Sequence, residues 1–214
     1  MTDAPGDLIH VAGEPLAIDL FCGLGGWTEG LLAEGYYVVG FDIERHRYPI
    51  AHIENDDGMK LPAGNACSSR WSERPMKRLS DATIGAAHGW QEYPAQLVLQ
   101  DVLTLHGRQF KDAALIVASP PCQEYSYMAM PWSRAKAIAA EYRSGVRDMK
   151  QLTALFDACF RIQREAIEAA GHFIPLVVEN VRGAQPWVGR SRWNFGSYHL
   201  WGDVPALMPM TKGG

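Results

Sequence analysis

Apolar runs recur along the chain and stop abruptly at polar, glycine or proline residues: Leu16–Phe21, Tyr37–Phe41, Leu97–Leu99, Ala113–Ala118 and Phe173–Val178. Short runs of small and branched residues with almost no charge are the pattern of strands buried on both faces, as in a parallel sheet. Only Asp19 interrupts the first. Between the last two runs, Leu152, Leu155, Phe156, Cys159, Ile162, Ala166 and Ile167 recur at helical spacing over 151–170, and Gly171 stops the helix. A second helix is expected to start after Cys22-Gly23-Leu24-Gly25-Gly26, with Thr28 as candidate N-cap and Leu31-Leu32-Ala33-Glu34 following. Tyr198–Trp201 predicts a late strand or hairpin arm. Strands alternating with helices predict an α/β fold, a mostly parallel sheet with helices on both faces, in one domain over 1–214.

Residues 51–92 break this rhythm with Asp56-Asp57-Gly58, Pro62, Gly64 and Pro75, and read as a long surface insertion carrying one short helix. Its basic cluster (Arg70, Arg74, Lys77, Arg78) suggests a flap facing substrate. Tyr125–Met130 and Pro131-Trp132 form an aromatic, methionine-rich stretch, suited to core packing or to a gating loop.

Composition narrows the class. With 214 residues, 47% apolar and 21% charged, the chain suits one globular domain. No apolar run approaches a membrane span, and the acidic first residues are unlike a secretory signal. Cys22, Cys67, Cys122 and Cys159 lack CxxC spacing, which argues against a zinc site or disulfide framework. A reducing, cytoplasmic setting is expected. The net charge of −4 gives no overall attraction to polyanions. Basic clusters at Arg134, Lys136, Arg143, Arg147 and Lys150, and at Arg182, Arg190 and Arg192, suit either phosphates or a solvated surface.

The candidate chemistry lies where strands end. In open α/β sheets the carboxyl edge is where ligands bind. Glycines after the first strand let backbone N–H groups approach a ligand, and the following helix N-terminus favours an anion. Asp42 ends the second strand about 20 residues past that turn, the place of a ribose-binding acid. Thr28 stands where a dinucleotide fingerprint needs its last glycine, which argues against NAD. Asp101 ends a further strand. Ser119-Pro120-Pro121-Cys122-Gln123 follows Ala113–Ala118, and its prolines end the strand and present Cys122 as a candidate nucleophile. Glu179-Asn180-Val181 ends the last of the buried runs.

In this arrangement the chain resembles the C5-cytosine-specific DNA methyltransferase family, in a compact, phage-like or partial form. Asp19-Leu20-Phe21-Cys22-Gly23-Leu24-Gly25-Gly26 is similar to its cofactor turn, Pro120-Pro121-Cys122-Gln123 to its nucleophile motif, and Glu179-Asn180-Val181 to its Glu-Asn-Val. The resemblance runs from residue 16 to about 181 apart from the insertion. It implies the Rossmann-like fold of S-adenosylmethionine-dependent methyltransferases and S-adenosyl-L-methionine as methyl donor. Phe21, Gly23 and Gly25 would then line the cofactor's methionine end, Asp42 its ribose, Ile43 an adenine face and Asp101 the adenine amino group, with Asp19, Gly26 and Pro120 also binding the cofactor. Cys122 would add to cytosine C6, with Glu179 stabilising charge on the ring and Gln123 and Asn180 beside them. Ser126 and Gln123 would contact the flipped nucleotide's phosphate and sugar, and Arg190 and Arg192 would also bind substrate. DNA is the implied partner. Family members continue past Glu-Asn-Val into an arginine-rich motif and a target-recognition domain. Residues 182–214 are too few for that domain, and only Arg190-Ser191-Arg192 stands near the arginine motif's place. A partner chain supplying sequence recognition is therefore an expectation, as is a role in restriction-modification. Two alternatives stay open: the same chemistry on RNA, single-stranded DNA or a free cytidine nucleotide, and a catalytically silent module that binds S-adenosylmethionine or nucleic acid.

Overall fold

The structure, a computed structural model, describes residues 13–49, 90–122, 125 and 132–205. A seven-stranded sheet forms its centre. Its strands are β1 (Leu16–Leu20), β2 (Tyr37–Asp42), β5 (Gln96–Leu99), β6 (Leu115–Ala118), β7 (Leu176–Val181), β8 (Trp193–Phe195) and β9 (Tyr198–Gly202), in the spatial order β5-β2-β1-β6-β7-β9-β8. The first five run parallel, and β9 and β8 close one edge antiparallel. Connections leave β1 towards β2 on one side and reach β6 on the other, so the chain reverses its winding between β1 and β6. The carboxyl ends of those two strands diverge there and leave a crevice.

Why β1 is a central strand follows from its residues. All five side chains of Leu-Ala-Ile-Asp-Leu are buried, which requires cover on both faces. Helix α1 (Gly26–Ala33) covers one face through Leu31, which packs with Ala17, Val38 and Val117. The long helix α3 (Met149–Ala170) covers the other with Leu152, Phe156, Cys159, Ile162 and Ala166, against a core that includes Ile18, Leu20, Ile116, Leu176 and Val178. Burying each such large side chain contributes on the order of 1.5–3 kcal/mol. Asp148 caps α3 by accepting from the Lys150 N–H at 2.9 Å, and Gly171 ends it at φ 71°. Cys159 is fully buried on this apolar face, and burial pushes its thiol up to about 12. It is a core residue.

Three local expectations are corrected. Thr28 does not cap α1: Gly25 is the cap residue, at φ 89°, and Thr28 lies buried inside the helix. The last buried run begins as a strand only at Leu176, because Phe173 is solvent-exposed and Pro175 has no N–H to give a ladder. That strand continues through Glu179 to Val181, which places the acid within the ladder. Helix α2 (Trp132–Arg143) was not expected; its Ala-rich sequence has good helix propensity, but among its described side chains only Ala139 and Tyr142 are buried, so no apolar stripe announces it.

The insertion read over 51–92 lies outside the described residues except at its end. There β4 (Trp90–Gln91) pairs antiparallel with β3 (Tyr48–Pro49), and Glu92 takes an ion pair from Arg47 at 3.0 Å, so the two ends of the insertion meet. The aromatic stretch over 126–131 also falls outside. Among the described residues no helix is long and apolar enough to cross a membrane.

Candidate active site

The turn after β1 is built from unusual backbone. Phe21 (φ 58°), Gly23 (φ 53°) and Gly25 (φ 89°) are left-handed. For Phe21 this costs roughly 1–3 kcal/mol, and strain of this kind collects where ligands bind. Gly23 is held by its N–H donating to Asp42 Oδ2 at 2.9 Å, while Asp42 Oδ1 accepts from the Ile43 N–H at 2.8 Å. At Gly25 any Cβ would lie 2.8 Å from Pro94 Cδ and 3.2 Å from the Tyr93 ring.

Beneath the turn lies a buried polar chain. Thr28 Oγ1 donates to Asp19 Oδ2 at 2.6 Å and lies 2.6 Å from the Tyr93 hydroxyl. Asp19 is 1% exposed, and its Oδ1 is buried without a partner among the described residues. Burial raises its carboxyl from 3.8 to about 7, against the lowering effect of Thr28. Burial first, and then the neighbouring carboxylates, pushes the Cys22 thiol far above its ordinary range. Cys22 is an unreactive part of this floor.

On the far side of the crevice, Ala118 pairs with Val178, so Ser119 lies beside Glu179 just beyond the last β6 pair. Glu179 in turn pairs with Leu200, and Leu200 with Trp193. Phe21, Ser119, Glu179, Leu200 and Trp193 form a row, and Trp27 from α1 reaches across it, its indole N–H donating to Ser119 Oγ at 2.9 Å. These groups line a cleft of about 650 Å³ together with Asp19, Cys22, Gly23, Leu24, Gly26, Phe195 and Tyr198. Burial raises the Glu179 carboxyl above the ordinary range, and a hydrogen bond from Ser119 opposes the rise.

Cys122 sits at the same edge, half-buried, and its carbonyl accepts from the Tyr125 N–H at 2.9 Å. Tyr125 is seated in turn by its hydroxyl donating to the Leu152 carbonyl at 2.5 Å. Asn180 Nδ2 donates to the Pro120 carbonyl at 2.9 Å and ties this corner to β7. Ser119 faces the cleft, whereas Pro121 lines a second hollow of about 690 Å³ with Tyr125, Tyr142 and Arg147.

Of the residues singled out in the sequence, Asp19, Phe21, Gly23, Gly26 and Glu179 line the cleft, and Cys122, Pro120 and Asn180 do not. Asn180 is not placed as a catalytic group: it is 1% exposed, its amide is spent on Pro120 and its Oδ1 accepts from the Val181 N–H at 2.8 Å. It positions the corner. Asp42 lies behind the turn with both oxygens accepting backbone N–H groups. Asp101 is exposed and accepts from the Leu103 N–H at 2.9 Å, capping a short 3₁₀ turn over 102–104. Ile43, Leu99 and Leu103 are exposed at the ends of β2 and β5. Arg190 and Arg192 are exposed outside the cleft. Gln123 and Ser126 fall outside the described residues. Sequence reasoning missed Ser119, Trp27, Tyr93 and the aromatic wall of Trp193, Phe195 and Tyr198. Only the alternation Trp193-x-Phe195 carried a signal for any of them.

No family model matches the sequence, and no curated protein matches it. Among solved structures it is similar to the Dnmt2 methyltransferase of S. pombe (15% identity, TM-score 0.38), over 82% of this chain and 37% of that one. It is also similar to the Entamoeba histolytica methyltransferase EhMeth (14% identity, TM-score 0.37), over 82% of this chain and 40% of that one. A third is magnesium protoporphyrin IX methyltransferase from Synechocystis PCC 6803 with bound SAM, at 13% identity and TM-score 0.29, over 80% of this chain and 51% of that one. The chain thus spans between 37% and 51% of the length of these proteins. The fold assignment rests on the strand order itself: five parallel strands, wound both ways from β1, with an antiparallel pair at one edge.

Proposed function

We propose that this chain is an S-adenosylmethionine-dependent methyltransferase that methylates C5 of cytosine in DNA. The observation that carries the reading is the Asn180–Pro120 hydrogen bond. It links the strand bearing Glu179 to the corner bearing Cys122, at the edge where the strained glycine turn opens.

The residues fit the cofactor. Asp19 Oδ1 is a buried acceptor in need of a donor, as an ammonium group provides, and space above Gly23 is open. Asp19, Phe21, Gly23 and Gly26 would hold the methionine end, and exposed Ile43 and Leu103 offer apolar faces for a flat base. When bound, S-adenosylmethionine supplies an electrophilic methyl group.

The chain's own groups supply the rest. Cytosine C5 is a weak nucleophile until C6 is attacked. The Cys122 thiolate forms a bond to C6, and the displaced electron pair moves through the ring as Glu179 donates a proton at N3. The resulting enamine is nucleophilic at C5. After C5 is alkylated, loss of its proton to a base and departure of the Cys122 thiolate restore the aromatic ring, and N3 returns its proton to Glu179. A carboxyl whose hold on its proton burial strengthens suits this donation. In duplex DNA the base must leave the stack first.

The test is transfer of labelled methyl from S-adenosylmethionine to duplex DNA, single-stranded DNA, RNA and dCMP, with wild-type protein and Cys122→Ser. Transfer to DNA that Cys122→Ser abolishes supports the reading. No transfer to any cytosine-bearing substrate removes it, and transfer confined to RNA or dCMP reassigns the substrate.

A further inference from the structure

Beyond Glu179 the cleft continues along one face of β7, β9 and β8, where the strand register orders the side chains in two rows. The inner row is Glu179, Leu200 and Trp193, and the outer row Val181, Tyr198 and Phe195. Residues two apart on a strand share a face and lie roughly 7 Å apart, which leaves room for a second flat ring beside one held in the inner row. Helix α1 covers this side of the sheet at β1, β2 and β6. At β9 and β8 the rings remain open to solvent: Phe195 is 54% and Tyr198 40% exposed. The Trp193 and Phe195 rings are parallel to within 8°, with centres 6.3 Å apart.

Exposed aromatic rings grouped beside a cleft mark a contact surface, and charge narrows what it contacts. Residues 180–202 include Arg182, Arg190 and Arg192, all exposed, and no Asp or Glu, although the whole chain carries a net charge of −4. Flat rings with cations in the same segment complement a nucleotide strand, whose bases stack on aromatic faces and whose phosphates attract arginine. A base inside a duplex already has both faces covered by its neighbours. Such rings therefore serve a base that is outside a helix.

We propose that the aromatic wall of β8 and β9 binds unpaired DNA, with Phe195 and Tyr198 stacking the base next to the one held against Glu179. That the base against Glu179 is the target cytosine rests on the methyltransferase reading; the affinity of the wall for single strands does not.

The wall is held from behind. On the opposite face of β9, the Trp201 indole N–H donates to the Gly189 carbonyl at 2.9 Å, and its ring meets Phe156 of α3 edge-on, with centres 5.3 Å apart. His199 Nδ1 lies 2.9 Å from Ser191 Oγ. These contacts fix the hairpin while Phe195 and Tyr198 face outward, so a strand that settles on them orders little of the protein.

The test is fluorescence anisotropy with the full chain and three labelled probes: a single DNA strand containing one cytosine, the same strand with abasic sites on both sides of that cytosine, and the matching duplex. The intact strand should bind about tenfold more tightly than either of the others, the worth of a stacked base. Phe195→Ala and Tyr198→Ala should each weaken binding of the intact strand and leave the abasic strand unchanged, whereas Phe195→Trp should keep the preference. Arg192→Gln should weaken both strands alike and make their salt dependence shallower. Equal affinity for the intact and abasic strands overturns the wall, as does a duplex bound as tightly as the single strand. Binding of phosphatidylserine vesicles with no binding of DNA overturns it in favour of a membrane surface. If the preference holds and no cytosine-bearing substrate accepts a methyl group, the methyltransferase reading fails and the wall stands. If methyl transfer to DNA occurs and abasic flanks make no difference to binding, the wall fails and that reading stands.

Discussion

The carboxamide of Asn180 reaches from β7 to the carbonyl of Pro120 across 2.9 Å, so a fully buried bond joins the two motifs that carry the proposed chemistry. Its other end accepts from the Val181 N–H, which leaves the side chain no freedom. Asn180→Ala leaves a buried carbonyl unpaired, at a cost of about 1–3 kcal/mol. Thermal unfolding should fall accordingly. Covalent trapping on a 5-fluorocytosine oligonucleotide with cofactor present should slow more than the stability loss explains, because the corner bearing Cys122 loses its anchor. Asn180→Asp should behave like the alanine variant, since a carboxylate cannot donate. Trapping at the wild-type rate in both variants would show that the anchor is not needed.

The glycine turn gives a sharper expectation. At Gly25 a methyl group meets Pro94 at 2.8 Å and the Tyr93 ring at 3.2 Å, and the backbone sits at φ 89°. Neither neighbour is a flexible chain end. Gly25→Ala must therefore displace the turn or the segment 93–94, and binding of S-adenosylmethionine measured by calorimetry should be lost. Gly30→Ala is the control: it lies in α1 with open space around it, and affinity should stay within twofold.

How much of this was legible in the sequence differs by element. The central strands were, because burial on both faces demands nearly continuous apolar runs, and Leu115–Ala118 and, but for Asp19, Leu16–Leu20 have them. The amphipathic α3 was equally plain. Helix α2 was not, since Ala-rich surface helices carry propensity without a stripe. At the site, Glu179 and the glycine turn were read from motifs and do face one cleft. Ser119 and Tyr93 were invisible, as their roles come from register and from a loop folding back under the turn. Asp42 and Asn180 share one circumstance the motifs do not carry: a polar side chain at a strand end is as readily held by backbone groups as offered to a ligand.

Asp19 makes stability depend on pH. Its carboxyl is raised from 3.8 to about 7, chiefly by burial, so the folded protein holds this proton more tightly than the unfolded chain does. The stabilisation that protonation contributes is complete below the unfolded value of 3.8 and is lost as pH rises through about 7. Unfolding temperature should therefore decline between pH 5 and pH 8, and Asp19→Asn, which cannot ionise, should flatten that decline. A ligand ammonium group paired with Oδ1 favours the ionised form, so saturating S-adenosylmethionine should flatten it too. A decline unaltered in Asp19→Asn would assign it to other groups.

Tyr93 links the end of the insertion to the cofactor turn, and the direction of the link can be derived. Thr28 spends its one proton on Asp19, so the hydroxyl of Tyr93 must donate to Thr28 Oγ1, at 2.6 Å. Tyr93→Phe removes that donor and should cost about 1 kcal/mol of stability. The same hydroxyl occupies the space over Gly40, where a Cβ would overlap it and would also come within 2.8 Å of Cys22 Sγ. Gly40→Ala should therefore be the more damaging change, by about 1–3 kcal/mol of overpacking. The two substitutions meet at one side chain. A methyl group at Gly40 would overlap Tyr93 Cζ as well as its oxygen, so the ring must shift and the bond to Thr28 is lost in either single variant; the double variant loses that bond only once, and its loss of stability should be smaller than the sum of the single losses. Additive losses, read from urea unfolding of the four proteins, would mean that Tyr93 does not fill this space.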